Sequence, residues 1–108
     1  MALTAEASGT QAATITTEHA LHTNTGAKSF LLVVDLSVLA NGDELELRAK
    51  AKILPGGTRK QMDLAVFQHA QADPVAIFGP YPSAHDLEFT LKQTAGTGRA
   101  FDWAVWSV

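Results

Sequence analysis

Asp43-Glu44-Leu45-Glu46-Leu47-Arg48-Ala49-Lys50-Ala51-Lys52-Ile53-Leu54 alternates charged and apolar side chains from Glu44 to Ile53 without a miss. Leu45, Leu47, Ala49, Ala51 and Ile53 fall on one side, and Glu44, Glu46, Arg48, Lys50 and Lys52 on the other. The residue types favour a helix, and Glu44/Arg48 and Glu46/Lys50 stand at helical pairing distance. On a helix, however, Leu45 and Leu47 would point about 200° apart, and the apolar set would wind around the cylinder with no common face. The period of two therefore decides. The segment reads as a strand with one dry and one wet face, as in a two-layer antiparallel domain. A slip of one residue would turn the charged set into the core, so this strand fixes the register of its neighbours.

Working outward, Ser29 to Leu36 places Phe30, Leu32, Val34 and Leu36 on one face and Leu31, Val33 and Asp35 on the other. Apolar residues on both faces suggest a central strand covered twice, or one covered by a partner subunit. Ser37 to Gly42 carries a turn signal with room for a short helical turn, and Pro55-Gly56-Gly57 ends the alternating strand. Thr58 to Ala70 returns antiparallel to it, with Met62, Leu64 and Val66 on one face and Asp63, Ala65, Phe67 and His69 on the other. Val75, Ile77 and Phe78 form a short strand stopped at Gly79-Pro80-Tyr81-Pro82, because two prolines leave gaps in a ladder. Asp86 to Lys92 sets Leu87, Phe89 and Leu91 inward. Thr94 to Gly98 reads as a flexible link, and Arg99 to Val108 closes the chain with Phe101, Trp103 and Val105 on one side and Trp106 and Val108 on the other.

Toward the N-terminus, Thr14 to His22 alternates as a polar, edge-like first strand, and Thr23 to Lys28 is a turn. Residues 1–13 lack a periodic apolar face and read as a flexible arm, leaving 14–108 as the folded domain. Seven or eight short strands with turn signals every eight to twelve residues predict an all-β fold, a single antiparallel β-sandwich. That spacing leaves jelly-roll and immunoglobulin-like topologies both open.

The totals narrow the function classes. A chain of 108 residues is one domain. Without cysteine it has neither disulfides nor thiolate metal sites. Eight Lys and Arg against eleven Asp and Glu give a formal charge of −3, which offers no footprint for a nucleic-acid backbone. The longest apolar run, Phe30 to Val34, is far short of the roughly 20 residues that span a bilayer, so no membrane partner is expected. His19 and His22 lie three apart, on opposite faces of a strand, while His69 and His85 stand alone; no metal or other cofactor is expected. Glu44, Glu46 and Glu88 share faces with Arg48, Lys50, Lys52 and Lys92 and read as charge pairing on a wet sheet, not as a catalytic set. Gly96-Thr97-Gly98-Arg99 opens a strand, not a helix, so it is a turn and no phosphate loop. The expectation is a protein that is not an enzyme.

The residues available for contact are Thr14 and Ile15 on the edge-like first strand, Leu31 and Val33 on the second face of 29–36, and the aromatics Phe78, Tyr81 and Trp106. Near the C-terminus, Phe89-Thr90-Leu91-Lys92-Gln93-Thr94-Ala95-Gly96-Thr97-Gly98-Arg99-Ala100-Phe101-Asp102-Trp103 resembles a segment found in small structural proteins of tailed bacteriophages. Asp35-Leu36-Ser37, Asn41-Gly42-Asp43-Glu44-Leu45-Glu46-Leu47-Arg48 and Leu54-Pro55-Gly56-Gly57-Thr58 are similar to the same group, so that the likeness spans Ser29 to Val108. The resemblance carries no chemical motif. It implies a virion protein assembled in the host cytoplasm, of the capsid decoration or cement type. Its implied partners are the major capsid protein lattice on the capsid surface and further copies of itself in a homo-oligomer. A receptor- or carbohydrate-binding module of a tail or fibre, or a head- or tail-completion protein, is the alternative.

Overall fold

A computed structural model describes residues 3–108 as eight strands joined by turns, with no helix among them. The strands are β1 (Thr4–Ala12), β2 (Glu18–Asn24), β3 (Lys28–Asp35), β4 (Glu44–Ala51), β5 (Lys60–Gln68), β6 (Val75–Ser83), β7 (Leu87–Ala95) and β8 (Ala100–Ser107). They form two four-stranded antiparallel sheets, ordered β1-β8-β3-β6 and β2-β7-β4-β5. The all-β sandwich read from the alternation is thus the fold. Its topology follows from the pairing: β1 with β8, β2 with β7, β3 with β6 and β4 with β5. That is one long hairpin folded at the β4–β5 turn and then rolled, so that β3 also meets β8 and β4 meets β7. A hairpin rolled in this way is the jelly roll, and the immunoglobulin-like alternative falls away.

β4 sits between β5 and β7 and alternates half-buried and buried along its whole length. Its inward residues match their cross-strand neighbours in size, Leu47 opposite Ala65 and Leu91, and Ala49 opposite Phe89. Together with Leu32 and Val34 of β3 and Phe101 and Val105 of β8 they close one core between the sheets. Each fully buried Leu or Phe there contributes about 1.5–3 kcal/mol. The strand ends at Ala51, however, so Ile53 is not the last core residue of the series but lies in the following turn, 73% exposed.

Four further expectations are corrected. The N-terminal segment is not a free arm: Thr4–Ala12 pairs along its length with β8, and Gly9 leaves room for the Trp103 indole, 3.3 Å from where a β-carbon would stand. The first two residues of the expected arm lie outside the described residues. The strand expected from Thr14 starts at Glu18, because Thr14–Thr17 closes a turn through the Thr17 amide on the Thr14 carbonyl (3.0 Å), with Thr16 at φ +67°. The prolines do not stop β6. It lies at a sheet edge, where a proline nitrogen facing solvent forfeits no ladder bond, and a bulge opposite Leu31 absorbs Gly79 and the cis Gly79–Pro80 peptide.

The fourth correction concerns the link at 94–98, which is pinned. β7 runs to Ala95. Beyond it the buried Asp43 accepts hydrogen bonds from the Thr97 amide (3.1 Å) and from Arg99 Nε (2.9 Å), besides the Ala40 amide (2.9 Å). The fully buried Gln93 accepts from the Arg99 amide (3.0 Å) and donates to the carbonyls of Ala95 (3.1 Å) and Thr97 (2.7 Å). Two residues with side chains matched to that backbone fix a segment whose composition alone suggests freedom.

Candidate partner interface

The two sheets differ in what their central strands present to solvent. On the outside of β2-β7-β4-β5 the charged residues of β4 join a ladder. Arg48 pairs with Glu46 (2.6 Å) and donates to Gln61 (3.1 Å), Lys50 reaches Glu18 (2.5 Å), and Glu44 accepts from Gln68 and Thr94 (2.6 Å each). Beside it Arg59 makes a two-toothed contact with Asp86 (2.5 and 3.0 Å) and also meets Glu88 (3.1 Å). The bonds from Asp86 hold the guanidinium protonated above its ordinary range, and Arg59 in turn lowers Asp86. These carboxylates are neutralised, so the arrangement is structural.

The outside of β1-β8-β3-β6 is different. The residues of β3 that do not enter the core, Leu31 and Val33, stand in register with Trp106 and Ala104 of β8, and Val33 is also opposite Ile77 of β6. Val75, one step further, is opposite Asp35. Ile77 and Val75 are 67% and 57% exposed, Val33, Ala104 and Trp106 are half-buried, and Leu31, expected as a contact residue, is buried beneath its neighbours. Lys28 and Glu6 pair (3.1 Å) at one end of the sheet on its inner side, where Glu6 also accepts from Ser107. At the other end, on the outer face, an open depression of about 400 Å³ is lined by Val33, Asp35, Val75, Asp102 and Ala104 beside Pro74. The apolar residues here are not part of the inter-sheet core, which is complete without them.

Of the residues singled out from sequence, Leu31, Val33 and Trp106 come together on this face. Thr14 and Ile15 sit apart in the β1–β2 turn, where the Thr14 amide donates to His19 Nε2 (3.1 Å). Phe78 and Tyr81 turn inward. Phe78 is 5% exposed and packs edge-on against Tyr81, with ring centroids 5.1 Å apart, so it offers nothing to a partner. Tyr81 is half-buried and its hydroxyl donates to Asp63 (2.7 Å); burial and that bond raise its ionisation above the ordinary phenol range. The bulge at Gly79–Pro80 brings both rings to the same side of β6. Sequence reasoning missed Val75, Ile77 and Ala104 as members of the face. The register of β6 and β8 against β3 defines them, and no local pattern reports it.

A second apolar stripe, Met62, Leu64 and Val66, lies exposed along the outside of β5. Among the described residues no three His, Asp or Glu side chains gather as a metal site. His69 instead caps a turn, its Nδ1 accepting from the Gly42 amide (3.0 Å). Comparison with protein-family models, with curated proteins and with solved structures returned no match.

Proposed function

We propose that this chain is a non-enzymatic structural protein of a tailed-phage virion, a decoration or cement protein that binds the head shell in many copies and stabilises it. Anything that binds only the assembled shell shifts the equilibrium toward it. The observation that carries the reading is the apolar outer face of the β1-β8-β3-β6 sheet, with Trp106, Val33, Ile77 and Val75 on neighbouring strands outside a core that does not need them. Exposed apolar residues gathered in one patch mark contact surfaces. The jelly-roll order adds support, since capsid domains are among its common uses. So does the phage-like signature: Asp43, in its Asn41-to-Arg48 segment, is bonded to Thr97 and Arg99 in its Phe89-to-Trp103 segment.

The carbohydrate-binding alternative needed Trp106, Tyr81 and Phe78 as one stacking platform, and the inward turn of the last two takes that platform apart. The test is location and copy number. Quantitative mass spectrometry of purified particles should give copies in proportion to shell subunits, and cryo-microscopy should find the protein on the outer shell. A few copies at one vertex, or density confined to the tail, would refute the assignment.

A further inference from the structure

We propose that the apolar face of β1-β8-β3-β6 takes a partner surface in which arginine or lysine alternates with apolar side chains, the cations seating over Asp35 and Asp102. This deepens the reading above, and it rests on that face being the contact surface. Three features of the molecule lead to it.

The first is that a partner does not join as an added strand. Each of the four edge strands carries a register shift against its inner neighbour. These fall between Ala5 and Ala7 in β1, between Ala20 and His22 in β2, at Met62 in β5, and at Gly79 and Pro80 in β6. Asp63, opposite the inward Ala49, adds an inward-pointing charge to β5, and the prolines remove donors from β6. Bulges, inward charges and edge prolines are the devices that keep edges from pairing with other chains. Association therefore falls to a face.

The second is where the charges stand. Of the eight cations, Arg48, Lys50, Lys52, Arg59, Lys60 and Lys92 belong to β4, β5, β7 or the segments next to them, and Arg99, just before β8, is turned to Asp43. Lys28 is the one cation on a strand of the apolar sheet, and Glu6 pairs with it. What remains beside the apolar residues is Asp35 and Asp102. The β3–β8 register runs from Phe30 opposite Ser107 to Val34 opposite Trp103, and Asp35 and Asp102, each the next residue beyond its end, line one depression. Two carboxylates thus line that depression, and neither lysine nor arginine is among the residues that line it. Asp35 accepts a hydrogen bond from the Ser37 amide (2.9 Å) and Asp102 one from the Thr10 hydroxyl (2.6 Å).

The third is that both carboxylates line the same depression as Val33, Val75 and Ala104. An acidic partner would bring like charge to these two carboxylates, and a basic one would pair with them. A second copy fits less well face to face, since its apolar face brings the same two acids; on its opposite face Arg48, Lys50 and Arg59 are paired with Glu46, Glu18 and Asp86, while Lys52, Lys60 and Lys92 make no ion pair among the described residues, and concentration-dependent shifts in the free protein separate that docking mode.

The test uses the full chain and two blocked peptides of the same length, Leu-Arg-Leu-Arg-Leu and Leu-Glu-Leu-Glu-Leu, followed by amide NMR titration. The expected result is a shift of Val33, Asp35, Ala104 and Trp106 with the arginine peptide, at an affinity about three- to tenfold above that of the glutamate peptide. Asp35→Asn with Asp102→Asn keeps both acceptor oxygens and should abolish that preference while the apolar response at Trp106 persists. Equal or stronger binding of the glutamate peptide, binding of neither, or shifts confined to β5 would overturn the proposal. Concentration-dependent shifts of the same residues in the free protein would do so too, by making a second copy the occupant. The phage reading is tested separately: a tail location for the protein leaves the peptide result intact, and a failed titration leaves the shell location intact.

Discussion

Asp43 ties together distant parts of the fold, since one buried carboxylate collects the Ala40 and Thr97 amides and the Arg99 guanidinium. The Ala40 amide lowers its ionisation most, against the burial that pushes it up, with Arg99 and Thr97 adding to the lowering. Asp43→Asn keeps one acceptor and loses the charge. It should cost about 1–3 kcal/mol in urea unfolding at neutral pH. Because the folded carboxyl binds its proton at lower pH than the unfolded one, this stability is present above the ordinary carboxylate range, roughly pH 4, and is lost as pH falls through the folded value. The gap between wild type and Asp43→Asn should therefore shrink on acidification; a gap that widens would contradict the assignment. Gly96 answers to the same carboxylate. At φ +90°, a β-carbon there would stand 1.9 Å from Asp43 Oδ1, so Gly96→Ala should cost more than the roughly 1 kcal/mol of a left-handed alanine alone. Combined with Asp43→Asn the two should be less than additive, since each breaks the same clasp.

At the scale of elements, β1 is the strand whose role changed most between sequence and structure. Its outward side chains are small and polar, so nothing in the alternation marks it, and its contribution lies in backbone bonds to β8 and in the Gly9 gap that receives Trp103. Removing residues 1–12 should lower the thermal midpoint by several degrees and shift tryptophan emission to the red, as Trp103 gains water and Glu6 no longer meets Ser107 (2.7 Å). An unchanged midpoint would restore the free arm. The contrast with β4 explains what was legible. β4 is a central strand with one wet face, so its own residue pattern records both neighbours and solvent. β5 and β6 are edges whose outward residues are as apolar as their inward ones. Nothing local distinguishes Leu64 from Phe67, or Ile77 from Phe78, and the inward choice is made by pairing with β4 and β3. The candidate face was half-readable for the same reason: Leu31 and Val33 stood out on β3, and their companions required the β6 and β8 registers.

At the scale of the whole molecule, the lowered carboxylates are joints between parts of the roll that are distant in sequence. Glu6 of β1 is lowered by Ser107 of β8 and then by Lys28 of β3, and Asp63 of β5 by the Tyr81 hydroxyl of β6, across the two sheets. Glu44 of β4 is lowered by Thr94 of β7 and by Gln68 of β5, and Asp86 by Arg59 from the turn before β5. Every one of these shifts has the same sign. The unfolded chain therefore takes up protons before the folded one does, and stability must fall with pH below the ordinary carboxylate range. The thermal midpoint should be nearly level from about pH 8 to pH 6 and decline steadily below about pH 4.5. Tryptophan near-ultraviolet dichroism and backbone dichroism should be lost together, because the joints link both sheets around one core. Added salt at neutral pH should move the midpoint little, as the exposed pairs such as Lys28–Glu6 contribute weakly and hydrogen bonds do most of the lowering. Tyr81→Phe removes the inter-sheet joint alone and should flatten the acid slope without altering the neutral fold. A midpoint that held level to pH 3 would mean that these carboxylates bridge the strands without stabilising them.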